Sequence, residues 1–395
     1  MNAPPAPARA PRLPRNVVAL GVVSLLNDVS SEMMLPVLPL FVTGVLGASV
    51  ASLGVIEGVA ESTAALLRLS SGWLSDRIGR RKPFLVAGYG ISGVTKAALA
   101  YAATWPAVLA LRFADRVGKG LRTSPRDALL AASVPRERRG LAFGVHRAMD
   151  NAGAVLGPLA ATARLAGGAP LRAVFLWAAI PGAVCIALAL ALREPQAPAP
   201  AGNAAWHPAR IPPALRRYLG VVALFTLGNS SNMFLLLRAR ELGVAPALVP
   251  LLWAAVSAVA ALFSAPLSSL SDRWGRRRLL FAGYVAYGIV YLGMALASGR
   301  LWWLLALFAF YGLFLAATEG VEKALVADLA EPGGAGSAFG WFNLVGGAML
   351  LPASLACGAI YQRWSAPAAF GFSAACAFAA ALLLPWSVRT RRARG

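Results

Sequence analysis

Apolar stretches of bilayer-crossing length recur twelve times along this chain, and that pattern leaves it few folds. They lie at about 16–44, 50–73, 83–104, 106–130, 141–163, 171–192, 218–238, 246–269, 279–298, 301–326, 336–361 and 366–388. Only short polar breaks separate them, so little of the 395 residues is left for a globular head. The composition agrees: 58% of residues are hydrophobic and 13% charged, against roughly 45–50% and about 25% in soluble domains. Backbone polar groups in hydrocarbon must be satisfied within the segment, which makes these stretches helices. The sequence therefore predicts an all-α integral membrane protein with twelve transmembrane helices, and it argues against a soluble enzyme. No phosphate-binding glycine loop of the P-loop kind is present, which disfavours an ATP-driven pump.

A formal charge of +21 would suggest nucleic acid in a soluble chain, because clustered Lys and Arg release counterions from phosphates. Here the distribution of the charge gives another reason. With the N-terminus inside, 26 of the 37 basic residues fall in cytoplasmic segments. These are Arg9, Arg12 and Arg15; Arg77, Arg80, Arg81 and Lys82; Lys119, Arg122, Arg126, Arg136, Arg138 and Arg139; Arg193, Arg210, Arg216 and Arg217; Arg273 and Arg276 to Arg278; Lys323; and Arg389, Arg391, Arg392 and Arg394. Six remain on the opposite side. The positive-inside rule then places both termini in the cytoplasm. The basic segment before the first apolar run superficially resembles a signal peptide. The run continues past residue 40 and contains Asp28 and Glu32, so it reads as an uncleaved first helix. Cys185, Cys357 and Cys376 sit in apolar runs without CxxC spacing and read as core packing, with no metal site.

Residues 194–217 open on a Pro- and Ala-rich run that divides the chain into six helices plus six. The predicted organisation is an N-terminal tail (1–15), a first bundle (16–193), a cytoplasmic linker (194–217), a second bundle (218–388) and a basic tail (389–395). The bundles repeat. Asp76-Arg77-x-Gly79-Arg80-Arg81 returns as Asp272-Arg273-x-Gly275-Arg276-Arg277, a shift of 196. Ala142-Phe143-Gly144 returns as Ala338-Phe339-Gly340, Leu46-Gly47 as Leu242-Gly243, and Ala128-Leu129 as Ala324-Leu325, all at the same shift. Two six-helix halves of common ancestry are the expected build of a secondary transporter.

Gly72-x-x-x-Asp76-Arg77-x-Gly79-Arg80-Arg81-Lys82 resembles the loop signature of the major facilitator superfamily. Its second-half copy has Ser268 where the leading glycine stands, which leaves close helix contact there open. Gly144-x8-Gly153-x3-Gly157-Pro158 is similar to the antiporter signature of that superfamily's exporters, with Ala161-Thr162 in place of its closing glycines. Arg116-x-x-x-Gly120 resembles the fourth-helix signature associated with proton transfer. The resemblance implies the major facilitator fold, two pseudo-symmetric six-helix bundles, and proton-coupled export. In physical terms, Gly144, Gly153 and Gly157 allow close backbone approach, and Pro158 bends the helix beyond them. Asp76 at a helix end can bond to basic side chains or face the positive N-terminus of a neighbouring helix, as a contact that closes one gate. The predicted gate residues are Gly72, Asp76, Arg77, Gly79 and Arg80, with Asp272, Arg273 and Gly275.

Charges inside the membrane cost at least ~2.5–3.5 kcal/mol each and so need a partner, a cavity or a function. The first half collects them: Asp28 and Glu32 in the first span, Glu57 and Glu61 in the second, Lys96 in the third, Arg112, Asp115 and Arg116 in the fourth, Arg147 and Asp150 in the fifth. The four-residue spacing puts each acid pair on one helix face. The second half has Glu319 as its one clear intramembrane acid, and Asn232 where Glu32 stands in the first. At the shift of 196, Arg126-Asp127 faces Glu322-Lys323, a reversal of charge order that suits salt bridges between halves and adds these four to the gate. Asp28 and Glu32 are the candidate proton-carrying acids, with Arg112 or Arg116 as counter-charges. His146 is a further candidate for a relay.

The expected function is secondary active transport: proton-coupled export of a small organic solute by alternating access, in the inner membrane of a prokaryote. Proton-coupled uptake and a receptor or scaffold that lost transport are the alternatives. The expected partners are the solute, protons and the lipid bilayer, with no nucleic acid, no cofactor and a functional monomer.

Overall fold

The computed structural model describes residues 13–35, 37–48, 50–194, 211–229, 232–244, 249–297 and 301–387. Among them the helices are α1 (Arg15–Met34), α2 (Val37–Leu40), α3 (Val50–Ile78), α4 (Lys82–Leu99), α5 (Trp105–Ala132), α6 (Arg139–Ala166) and α7 (Leu171–Ala191) in the first half. The second half has α8 (Pro213–Gly228), α9 (Met233–Glu241), α10 (Val249–Trp274), α11 (Arg276–Leu296), α12 (Leu301–Leu329), α13 (Ala335–Arg363) and α14 (Ala366–Ser387). A π turn, Phe41–Val45, continues α2. Each predicted span has its helix. The expected tails lie mostly outside the described residues, as does most of the linker. Residues 213–217, read from sequence as linker, already belong to α8.

Two spans are broken. The first stops at Met34, with Leu35 still donating its N–H to the Ser31 carbonyl, and a helix resumes at Val37. The seventh is split into α8 and α9, where the sequence predicted one continuous span. Gly228 ends α8 and Asn229 leaves helical geometry at φ −89°, ψ 71°. Elsewhere the helices outrun the apolar stretches on the basic face, as in α3, α5, α10 and α12. Lys119, Arg122 and Arg126 lie inside α5 and Lys323 inside α12, although the sequence assigned all four to cytoplasmic segments. Arg122 and Lys323 are buried. They are helix-interior charges facing other helices, inside the apolar stretches 106–130 and 301–326, although the charge tally gave them to the cytoplasmic side. Removing these four from the 26 leaves 22 bases against six, so the asymmetry between faces stands.

The halves are related by a pseudo-two-fold axis, which shows in residues 196 apart that meet each other. Phe143 and Phe339 pack with ring centroids 5.7 Å apart, and Asp127 and Lys323 pair at 2.6 Å. An interface in which i meets j while the equivalent of j meets the equivalent of i is the mark of two-fold symmetry. The close crossings between halves are α6 on α10 and α3 on α13. Glycines make both possible. A Cβ on Gly72 would overlap the carbonyl oxygen of Gly336, and one on Gly144 would come 2.6 Å from both the carbonyl oxygen of Ser264 and Cβ of Ser268. Ser268 therefore does not loosen the second crossing. The glycines that let it close, Gly140 and Gly144, sit on the opposing helix.

Candidate functional site

The repeated loop is built around a left-handed backbone residue: Gly79 at φ +72° and Gly275 at φ +95°, a conformation that costs L side chains about 1–2 kcal/mol. The turn leaves Asp76 and Asp272 in the last turns of α3 and α10, each aimed at the other half. Asp76 accepts the backbone N–H of Gly336 (2.9 Å) and Ser337 (2.6 Å), at the start of α13. Asp272 accepts those of Gly140 and Leu141, both at 2.9 Å, at the start of α6. Unpaired N–H groups at a helix N-terminus and the positive end of its dipole favour a carboxylate there. Each half thus clasps a helix of the other. Arg77, Arg80 and Arg273, expected in this gate, are exposed, and Arg77 lies over the Trp73 ring. The arginines that reach in are Arg81, 3.8 Å from Asp76, and Arg276, which binds both Asp272 and Asp328. Asp328, at the end of α12, is also held by Arg139 (2.8 Å) and Arg136 (3.5 Å) of the first half. The repeat does not point to this cluster, because the position equivalent to Asp328 is Ala132.

Inward from the rim, ion pairs between the halves lie at successive depths, estimated at about 1.5 Å per helical residue. At about 8 Å, Asp127 is fully buried between Lys323 of α12 (2.6 Å) and Arg126 (3.1 Å), and Arg126 also donates to Ser24 of α1. Glu322, beside Lys323, accepts from Tyr284 at 2.8 Å instead of crossing to the first half. At about 12–15 Å, Arg147 of α6 approaches Glu319 of α12 (3.7 Å) and Asp150 (3.4 Å). Arg147 and Glu319 both retain partial exposure.

Deeper still are Asp28 and Glu32 on α1, about 20 and 26 Å from its start. Their seats are specific. A Cβ on Gly153 would lie 2.8 Å from Cβ of Asp28, and one on Gly157 would lie 2.7 Å from Cβ of Glu32. The two acids four apart on α1 thus rest on two glycines four apart on α6, with Pro158 next in the chain. Asp28 accepts from Asn27 Nδ2 at 2.9 Å. Among the described residues neither acid has a cation within ion-pair distance. Arg112, expected as their counter-charge, pairs with Asp115 at 3.3 Å. Lys96 and Arg122 both donate to Asn27, at 3.3 and 3.2 Å. Arg116 is buried on α5 and faces Glu32 from beyond ion-pair distance, with Lys119, Lys96 and Arg112. The side chains of Glu57 and Glu61 lie outside the described residues. No group of three or more His, Cys, Asp or Glu side chains is placed to hold a metal among the described residues.

Gly153→Ala and Gly157→Ala are each expected to lower stability by about 1–3 kcal/mol, since neither helix backbone can yield to the added carbon. Thermal unfolding of the purified protein in detergent measures it. A melting temperature equal to that of the unsubstituted chain would show that α1 and α6 do not meet there.

The geometry suits a transporter: two halves, clasped at one rim, with ionisable groups between them in the membrane. The sequence profile of the Major Facilitator Superfamily matches residues 20–237 and again 218–395. An uncharacterised MFS-type transporter of Methanocaldococcus jannaschii is 36% identical over 360 residues, covering 89% of each chain. The multidrug resistance protein MdtG of Enterobacter lignolyticus is 28% identical over 330 residues, 80% of this chain and 77% of its own. In structure, the human organic anion transporter MFSD10 superposes with a TM-score of 0.78 at 18% identity, covering 95% of this chain and all of its own, a likeness of fold alone. Repeat, helix arrangement and profile agree, and the chain belongs to the major facilitator superfamily.

Proposed function

We propose that this transporter exports a small organic solute in exchange for protons, and that Asp28 and Glu32 carry them. The observation behind this reading is the contrast among the intramembrane acids. Asp115, Asp127 and Asp150 have cations within 3.4 Å, whereas Asp28 and Glu32 are half-buried without one. An acid held by a cation stays ionised, whereas a desolvated acid without one can exchange a proton near neutral pH. Outward transport is supported by the likeness to the multidrug resistance protein and by the glycine signature on α6. The basic face is the cytoplasmic one in this reading, with both termini there, and the membrane is the inner membrane of a prokaryotic cell.

Everted membrane vesicles test this. With a proton gradient imposed, vesicles containing the protein should accumulate at least one member of a panel of organic solutes, saturably, and an uncoupler should stop it. Accumulation that ignores the uncoupler would refute proton coupling. Solute driven out of everted vesicles by the gradient would identify an uptake symporter instead.

A further inference from the structure

His146 on α6 takes no part in the clasp or in the ion pairs between the halves. It is completely buried, and among the described residues neither ring nitrogen has a hydrogen-bond partner. Its Nδ1 lies 3.4 Å from Oδ2 of Asp150, the oxygen that also stands 3.4 Å from Arg147. Buried polar groups are nearly always bonded, so such an exception calls for a reason. Counting from the start of α6 places the ring about 10 Å in, level with the Asp127–Lys323 pair.

The charged groups around it come from every neighbouring element. Asp150 and Arg147 share its helix, Arg126 and Asp127 face it from α5, and Lys323 faces it from α12. Helix α12 also brings Glu319 to Arg147, and Glu322, which bonds to Tyr284. From α1 come Asp28 and Glu32, seated further along α6 at Gly153 and Gly157. Helix α10 meets α6 through Ser264 and Ser268 and keeps Asp272 at the rim.

We propose that His146 is the positioning residue that links proton loading to opening of the basic face, by weakening the Asp127–Lys323 pair when it becomes an imidazolium. With the ring neutral, three cations (Arg126, Arg147, Lys323) stand among three acids (Asp127, Asp150 and Glu319). A hydronium in the solvent between the halves gives its proton to Asp150, leaving water, and the carboxyl O–H breaks as the proton passes to Nδ1, so that the site gains one positive charge. In a poorly screened interior that charge repels Lys323 and competes with it for Asp127. Lys323 is the one of the three cations that belongs to the other half, so separation of the halves relieves the repulsion. The proton then leaves through the opened face.

The inference rests on the proton-coupled reading, and its test needs no solute. Spin labels placed by Ile78→Cys and Trp274→Cys, at exposed positions on the basic ends of α3 and α10, report the distance between halves when Cys185, Cys357 and Cys376 are replaced by Ala. Between about pH 8 and about pH 5.5 the ratio of closed to open basic face should fall about tenfold in the otherwise unsubstituted chain. In His146→Gln, neutral and of similar size, it should change by less than about twofold. Should that variant fail to fold, Asp150→Asn removes the acid that holds the proton on Nδ1 and must move the midpoint of the response to lower pH. A full response in His146→Gln, an unmoved midpoint in Asp150→Asn, or no response in the parent chain overturns the proposal. If His146→Gln keeps the full response while the vesicles still show gradient-driven transport, only the role of His146 falls. Failure of gradient-driven transport with the parent protein removes the reading beneath it.

Discussion

Asp28→Asn combined with Glu32→Gln is expected to abolish proton-driven accumulation of solute while leaving solute-for-solute exchange in place. Each pH unit stores about 1.4 kcal/mol per proton, so one coupled proton across two units supports about 100-fold accumulation. That factor is what the double substitution should remove. Both amides keep the shape of the acids and their seats on Gly153 and Gly157, so the helix crossing survives. The same exchange at Asp115 would break a buried ion pair with Arg112 and is expected to harm folding instead, because removing one partner of such a pair is costly. Counterflow measured beside gradient-driven uptake in one vesicle preparation separates the outcomes. Accumulation persisting in the double variant would move the coupling site elsewhere.

The second large effect concerns the clasp. Asp76→Asn with Asp272→Asn removes two carboxylates that each accept two backbone N–H groups of the opposite half. A hydrogen bond to a charged group contributes about 1.5–3 kcal/mol net, and the helix dipole adds about 0.3–1 kcal/mol. Part of this is regained from water when the halves separate. A loss of about 1.4 kcal/mol per clasp then shifts the equilibrium about tenfold in either single variant and about 100-fold in the double, towards an open basic face. Distance measurements between labels at residues 78 and 274, at constant pH, give the populations. A double variant as closed as its parent would assign closure to the Asp328 cluster with Arg136, Arg139 and Arg276.

Much of this architecture was legible in the residues. Hydropathy placed the helices because lipid leaves the backbone no alternative, and the shift of 196 predicted the symmetry because duplicated halves keep their contacts in register. The reversal at Arg126-Asp127 and Glu322-Lys323 pointed to a contact across the axis, and Asp127 does meet Lys323 there. The carboxylate at the N-terminus of a neighbouring helix was likewise written in the position of Asp76. Partner choice within a half was not legible. Arg112 pairs with Asp115 one turn away on its own helix, and depth along separate helices cannot decide such a choice. Lys119, Arg122 and Arg126 counted towards the cytoplasmic charge although they stand inside the 106–130 stretch, because a helix buried on several sides by protein need not be apolar. The seating of Asp28 and Glu32 on Gly153 and Gly157 had a signal, two pairs each spaced by four, but nothing in one dimension says that α1 and α6 are neighbours.

Proton movement accompanying solute movement is the most direct test of the whole account. In proteoliposomes loaded with a pH-sensitive dye and a transported solute, release of solute should carry protons the opposite way, in a fixed ratio, and the Asp28→Asn, Glu32→Gln double variant should release solute only by exchange. Solute flux without a proton signal, or with protons moving alongside the solute, would contradict it.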